Sequence, residues 1–249
     1  MPPNLILTGM MVAAFALVHI FIGRLSFLSS VPRSRWLSFA GGVAVTYVFM
    51  HIMPELAQHN AVFASELGMA EKSAEVLVYG VALAGLALFY GVERLVKVKR
   101  GRFKEREAAL ADEELLWVHL ASFAIYNALI GYLLLHREEE GVGALLLYFI
   151  AMALHFVTAD FGMRDDHARD YDRIARWVLA GSVAAGWLIG LAVSLPRLGI
   201  GLLFAFLAGG VVLNVLKEEL PEERKSRFVP FLLGAGAFVL LVAGEGMAG

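Results

Sequence analysis

The feature that most constrains this chain is a series of eight apolar segments, each near the length that crosses a lipid bilayer. A spanning helix needs about 20 mostly apolar residues, and lipid excludes open sheet edges. The sequence therefore predicts an all-α polytopic membrane protein, one integral domain over 1–249 with eight transmembrane helices. A count of seven would follow if the short second or seventh segment were re-entrant. The predicted spans are 4–23, 37–54, 74–93, 115–135, 142–163, 174–194, 198–217 and 228–245.

Composition agrees with a lipid environment and excludes several classes of function. Hydrophobic residues make up 59% of the 249 residues and charged residues 18%, whereas soluble domains contain about 45–50% and about 25%. The net charge of -2 gives no reason to expect a nucleic-acid partner. The chain has no cysteine, so a metal ion would need histidine, carboxylate, amide or hydroxyl ligands.

The distribution of basic residues predicts the orientation of the helices. Of the 21 Lys and Arg residues, 18 lie in or beside the loops that follow the first, third, fifth and seventh spans. The alternate loops contain only Lys72, Arg137 and Arg197. Because basic residues favour the cytoplasmic side, we expect an integral protein of the cytoplasmic (plasma) membrane with both termini on the outer side.

Two segments of the chain resemble each other and predict an internal repeat. The segments 40–55 and 208–222 both begin with Ala-Gly-Gly-Val and end in Pro-Glu, which we expect to end each helix. The two spans cross in opposite directions, so the repeat would be inverted, as in many transporters. The first three-helix unit, 1–96, would then mirror 172–249 around a central helix pair in 115–163. A chance similarity is the alternative.

This arrangement resembles the ZIP family of divalent metal transporters. The similar features are eight spans, outer termini, a 3+2+3 plan and a charged loop after the third helix, here 94–114. The family's second helix is similar to the run from Gly41 through His51 to Pro54-Glu55, and its seventh helix is similar to Lys217-Glu218-Glu219-Leu220-Pro221-Glu222. The resemblance implies alternating-access transport of zinc or another divalent cation, which would be a substrate rather than a cofactor.

The metal-binding motifs of that family are changed in this chain. The fourth helix of the family carries His-Asn-x-x-Glu/Asp-Gly, where this chain has Tyr126, Asn127 and Ile130. The fifth carries His-x-x-Pro-Glu, where this chain keeps His155 and has Asp160 one residue beyond the motif. The usual two-metal centre cannot form from these residues. Either one altered site remains, or the chain keeps the fold without the activity.

Polar and ionisable residues inside a membrane are costly and often functional, so they supply the candidate metal ligands. Asn127, His155 and Asp160 lie on the predicted central pair, and His119 lies near the inner end of that pair. His51 and Glu218 lie near the ends of other spans. A structural hydrogen-bond network is the alternative for the first three, and solvated or interfacial helix ends for the others. His19, alone on an apolar helix, is interpreted as structural. The six candidates are Asn127, His155, Asp160, His51, His119 and Glu218.

Three functions follow from these observations. The first is a non-enzymatic transporter of a divalent cation with the lipid bilayer as its surroundings and a homodimer as one option for its assembly. The second is a non-transporting relative that acts as a scaffold or sensor. The third, an intramembrane metal-dependent hydrolase, is the least favoured, because such sites gather three protein ligands and the histidines here are scattered over several spans.

Overall fold

Eight helices make up the described part of the computed structural model, which covers residues 5–25, 35–100, 105–137, 141–166, 168–219 and 227–248. The all-α prediction is confirmed. Six of the helices are long and apolar enough to cross a membrane, and the other two contain shorter apolar stretches. The helices are α1 (Leu5–Arg24), α2 (Arg35–Leu67), α3 (Glu71–Arg100), α4 (Glu105–Leu133), α5 (Val142–Asp166), α6 (Ala168–Ala192), α7 (Arg197–Glu219) and α8 (Phe228–Ala248).

The exposed surface of the bundle is strongly apolar. Ile6 is 82% exposed, Leu240 is 74% exposed and Phe228 is 70% exposed. Soluble proteins rarely expose large hydrophobic side chains over contiguous areas, because water penalises them. The described surface therefore suits a membrane-embedded protein, with lipid in contact with these side chains.

Helix α2 departs from the sequence prediction, because Pro54 does not end it. The helix continues to Leu67 and ends at Gly68, which has a φ of 59° and donates its N–H to the Ala64 carbonyl. A π-helical turn, Val48–Ile52, ends two residues before Pro54. A proline lacks an N–H and its ring crowds the carbonyl four residues earlier, and the wider turn relieves both problems. The second Pro-Glu pair, Pro221-Glu222, lies outside the described residues.

The charged segment 94–114 is largely helical. Helix α3 continues to Arg100 and α4 begins at Glu105, so both helices extend beyond the apolar spans predicted for them. Only residues 101–104 between them lie outside the description. The third and fourth helices are therefore longer than the hydrocarbon thickness requires.

Three helix pairs approach closely through reciprocal glycines. In each pair, a glycine on one helix faces backbone of its partner, and a glycine on the partner faces backbone of the first. A Cβ on any of the six would overlap a carbonyl oxygen. Small residues permit such contacts between membrane helices, where packing rather than water drives association. The pairs are α2 with α8 (Gly42 and Gly234), α3 with α7 (Gly85 and Gly209), and α4 with α6 (Gly131 and Gly186).

Substitution of Gly234 tests whether these crossings stabilise the fold. We expect Gly234→Ala to destabilise the protein by about 1–3 kcal/mol, because the added methyl group would displace the backbone of Phe39. The control is Gly236→Ala in the same helix, where a Cβ meets nothing within 4 Å. Thermal unfolding of the purified protein in detergent measures both variants. Equal melting temperatures for the two variants would refute the role assigned to the crossing.

Candidate functional site

One group of buried polar side chains, the histidine pocket, lies where α4 ends and where α5 and α7 begin. Its cavity volume is about 10 Å³, room for roughly one water molecule or one dehydrated ion. Ionisable groups form much of its lining although the surrounding bundle is apolar, which marks it as a candidate functional site. The lining residues are His51, Glu55, His59, Leu133, His136, Arg137, Tyr148, Ile200 and Phe204.

Helix α2 supplies three of these side chains at four-residue intervals. His51, Glu55 and His59 share one face of the helix because residues four apart lie one above another. His51 Nε2 lies 3.7 Å from Glu55 Oε2, and both side chains are 8% exposed. The Tyr47 ring stacks on the His51 ring with centroids 4.9 Å apart. Since His51 lies within the π-helical turn, this turn sets the direction of the first imidazole.

His59 reaches helix α7 because that helix offers a glycine. A Cβ on Gly201 would lie 2.9 Å from His59 Nδ1, closer than side-chain packing allows. The His59 ring packs beside Phe204 with centroids 5.2 Å apart. His59 is fully buried. A glycine at this position therefore allows an imidazole of α2 to lie directly against α7.

The opposite wall of the histidine pocket is fixed by contacts at the end of α4. One ring nitrogen of His136, Nε2, lies 2.9 Å from the Gly190 carbonyl oxygen. The Arg137 guanidinium carbon lies 6.0 Å from the centre of the Tyr148 ring. Tyr148 donates its hydroxyl to the Ile130 carbonyl at 3.0 Å. These contacts hold an imidazole, a cation and a phenol around one small cavity.

A second group of polar side chains, the lysine pocket, lies near the other end of α4, α5 and α7. It is bounded by earlier residues of α4 and later residues of α5 and α7. From His119 to Leu133 the axial distance along α4 is about 21 Å at 1.5 Å per residue. Helices α4, α5 and α7 therefore carry both pockets, one near each end. The lining residues are His119, Phe123, Ala159, Gly162, Met163, Asn214 and Lys217.

Buried side chains of α4 lie between the two pockets. Ile130 is fully buried on α4, between the residues that line the two pockets. Tyr126, one turn earlier, donates its hydroxyl to the Leu207 carbonyl at 2.8 Å. Tyr126 and Ile130 occupy the positions where the resemblance implied a histidine and a carboxylate. Both side chains close the interior in this structure instead of presenting ligands.

Asp160 pairs with a histidine that the sequence interpretation treated as structural. His19 Nδ1 lies 2.6 Å from Asp160 Oδ2, and both side chains are buried. The Tyr171 hydroxyl donates to the His19 carbonyl at 3.1 Å. The His19 ring also packs on Phe156 with centroids 4.5 Å apart. The pair joins α1 to α5, and Tyr171 joins α6 to α1.

The other predicted ligands are distributed over several helices. Asn127 donates its amide to the Phe123 carbonyl at 2.8 Å, and the His155 ring centre lies 6.3 Å from that of Tyr126. His51 lines the histidine pocket and His119 lines the lysine pocket. Glu218 lies near the end of α7, outside the residues whose side chains are described. Within the described ranges, no three His, Asp or Glu side chains come together as a metal site.

Sequence reasoning missed most of the histidine pocket. His59 is not among the sequence candidates, because a helix that ends at Pro54 would not place His51, Glu55 and His59 on one helical face. The spacing of four residues was the available signal. The contribution of His136 depends on the approach of separate helices, which a single sequence does not reveal.

Breaking the His19–Asp160 pair should be costly. We expect His19→Leu to destabilise the protein by about 3–5 kcal/mol, because it leaves a carboxylate buried without its partner. The comparison is Asp172→Asn, which breaks the half-exposed Arg164–Asp172 pair and should cost about 1 kcal/mol or less. Unfolding in detergent measures both variants, and a double variant with leucine at positions 19 and 160 should recover much of the loss. A His19→Leu variant as stable as Asp172→Asn would contradict the structural role.

Comparison with known proteins gives no family assignment. No protein-family model matches the chain, and neither a curated protein nor a solved structure matches it.

Proposed function

We propose that this protein is a membrane transporter that carries a small divalent cation through its helix bundle by alternating access. The observation that carries the proposal is the pair of buried polar pockets on α4, α5 and α7, with the buried side chains of Tyr126 and Ile130 between them. Buried ionisable groups in a membrane are expensive unless they line a path or bind a partner. An occluded transporter has a partial path from each side of the membrane and a closed centre between the two.

The packing of the outer helices supports a 3+2+3 inverted repeat. The repeat would relate α1, α2 and α3 to α6, α7 and α8, in that order. It would therefore relate the crossing of α3 with α7 to the crossing of α8 with α2. Both crossings have reciprocal glycines, and Gly42 of α2 would correspond to Gly209 of α7. The spacing from Gly42 to Pro54 equals that from Gly209 to Pro221. This register aligns the two Pro-Glu pairs and shifts the Ala-Gly-Gly-Val strings by one residue. Inverted repeats are typical of alternating access.

The histidine pocket is the better candidate for the cation. It has imidazoles and one carboxylate, which are the ligands that zinc takes from a protein without cysteine. His51 and Glu55 are already 3.7 Å apart, and His59 follows on the same helical face. The ligand shell would be completed when these side chains converge on a bound ion. With both termini on the outer side of the cytoplasmic membrane, this pocket would face outward.

Uptake into proteoliposomes tests the proposal. Wild-type protein should accumulate zinc or another first-row divalent cation in vesicles that contain a metal indicator. Glu55→Gln keeps the side-chain shape and removes the charge, so the initial rate should fall at least about tenfold, as expected for losing a charged contact of about 1.5–3 kcal/mol.

The matched control is Glu66→Gln, an exposed glutamate on the same helix, which should transport like the wild type. Equal initial uptake rates for Glu55→Gln and Glu66→Gln would contradict a role of the histidine pocket in transport. Absence of uptake for every cation tested would refute transport itself.

A non-transporting relative that acts as a scaffold or sensor is the second candidate. The specific observation in its favour is that Tyr126 and Ile130, at the family's ligand positions, are packed and engaged in the core. Titration calorimetry of the purified protein with zinc distinguishes the two functions. Absence of both zinc binding and zinc uptake would favour a scaffold, whereas zinc binding without uptake would favour a sensor.

A further inference from the structure

The His19–Asp160 pair is a buried ionisable group that the proposed cation path does not use. Neither residue lines the histidine pocket or the lysine pocket. His19 Nδ1 and Asp160 Oδ2 are 2.6 Å apart. A nitrogen and an oxygen approach this closely when a proton lies between them in a charge-assisted hydrogen bond. The geometry therefore fixes one proton within the pair.

The other ring nitrogen of His19 indicates where a further proton can bind. Nε2 is buried and has no hydrogen-bond partner among the described residues. If Nε2 carries no proton, the pair has one negative charge inside an apolar bundle, which is costly. If Nε2 carries a proton, the pair is neutral overall, but the new N–H group has no acceptor. Because each state has a cost of its own, the pair is suited to gain and release a proton.

Titratable side chains of two helices surround the pair. His155 on α5 interacts electrostatically with both His19 and Asp160. The Tyr171 hydroxyl on α6 donates to the His19 carbonyl at 3.1 Å and also interacts with the Asp160 carboxylate. A hydroxyl donor beside a carboxylate stabilises its ionised form. An added proton is therefore directed to the imidazole rather than to the carboxylate.

A second ion pair, which reaches the surface, lies one helical turn beyond the buried pair. Arg164 follows Asp160 by four residues and Gly23 follows His19 by four residues, an axial step of about 6 Å on each helix. A Cβ on Gly23 would lie 2.9 Å from Arg164 Nε, so the glycine lets the Arg164–Asp172 pair lie against α1. The Asp172 side chain is 41% exposed. Water at Asp172 is therefore about one helical turn from the buried pair.

We propose that the His19–Asp160 pair is a proton-binding site that exchanges its proton with water at the end of the bundle where α1 and α5 end. On binding, a hydronium ion supplies a proton to His19 Nε2 and leaves as water, while the proton between Nδ1 and Asp160 stays in place. The pair then changes from one negative charge to neutral. Tyr171 and the Arg164–Asp172 pair connect the site to water. Proton binding here does not depend on the proposed cation transport.

Nitrogen NMR of the full-length protein in lipid bilayers tests the site. With ¹⁵N-labelled histidine, the spectrum shows which ring nitrogens carry a proton, and the His19 signals are those lost in His19→Gln. Between about pH 8 and about pH 5, where histidine changes charge, we expect Nε2 to become protonated while Nδ1 stays protonated. Asp160→Asn removes the anion that favours the cationic ring, so the change should occur at a pH lower by about one unit or more.

The matched control is Asp165→Asn, which changes an exposed aspartate of the same helix and should titrate like the wild type. Unchanged His19 signals over this pH range, or equal titrations of Asp160→Asn and Asp165→Asn, would overturn the proposal. If His19→Gln does not fold, the contact with the Phe156 ring, whose centre lies 4.5 Å from that of His19, assigns the signals in the wild type. The wild-type pH series alone decides the proposal if Asp160→Asn does not fold.

Discussion

The close contact of helix backbones at glycine is the constraint on which the rest of the structure depends. A bilayer gives no hydrophobic driving force between helices, so association requires dense packing. Gly186 illustrates this constraint, since its α-carbon faces the Ala128 backbone directly. These crossings hold α4 against α6 and α7 against α3, so two of the helices that line the polar pockets are each packed against an outer helix.

Within that frame, polar side chains are tolerated because they find partners on other helices. Asp160 is held by His19, and Tyr148 and Tyr126 both donate to backbone carbonyls. Each contact satisfies a group that lipid would leave unpaired. The same contacts join the helices at intermediate depth, so the polar groups that define the candidate site also stabilise the bundle. A substitution there will alter both stability and function, which is why matched controls are needed.

Much of the helix plan follows from the sequence because the bilayer imposes a length on apolar segments. Local rules were less successful at Pro54, where the usual effect of proline on a helix is offset by a wider turn. Partners such as His19 and Asp160 are 141 residues apart, and no periodic pattern relates them. The histidine pocket requires four helices, α2, α4, α5 and α7, to meet in a particular rotation. Hydrophobicity describes which face is apolar but not which polar residues of different helices will face each other.

The π-helical turn in α2 has a consequence for how this helix relates two neighbours. Gly42, before the turn, faces α8, whereas His59, after the turn, faces α7. An α-helix advances by about 100° per residue, so one additional residue in a turn rotates everything beyond it by that angle. The turn therefore sets the angle between the face of α2 that packs against α8 and the face that carries the imidazoles. Loss of a single residue there would preserve the helix yet aim the imidazoles at a different neighbour.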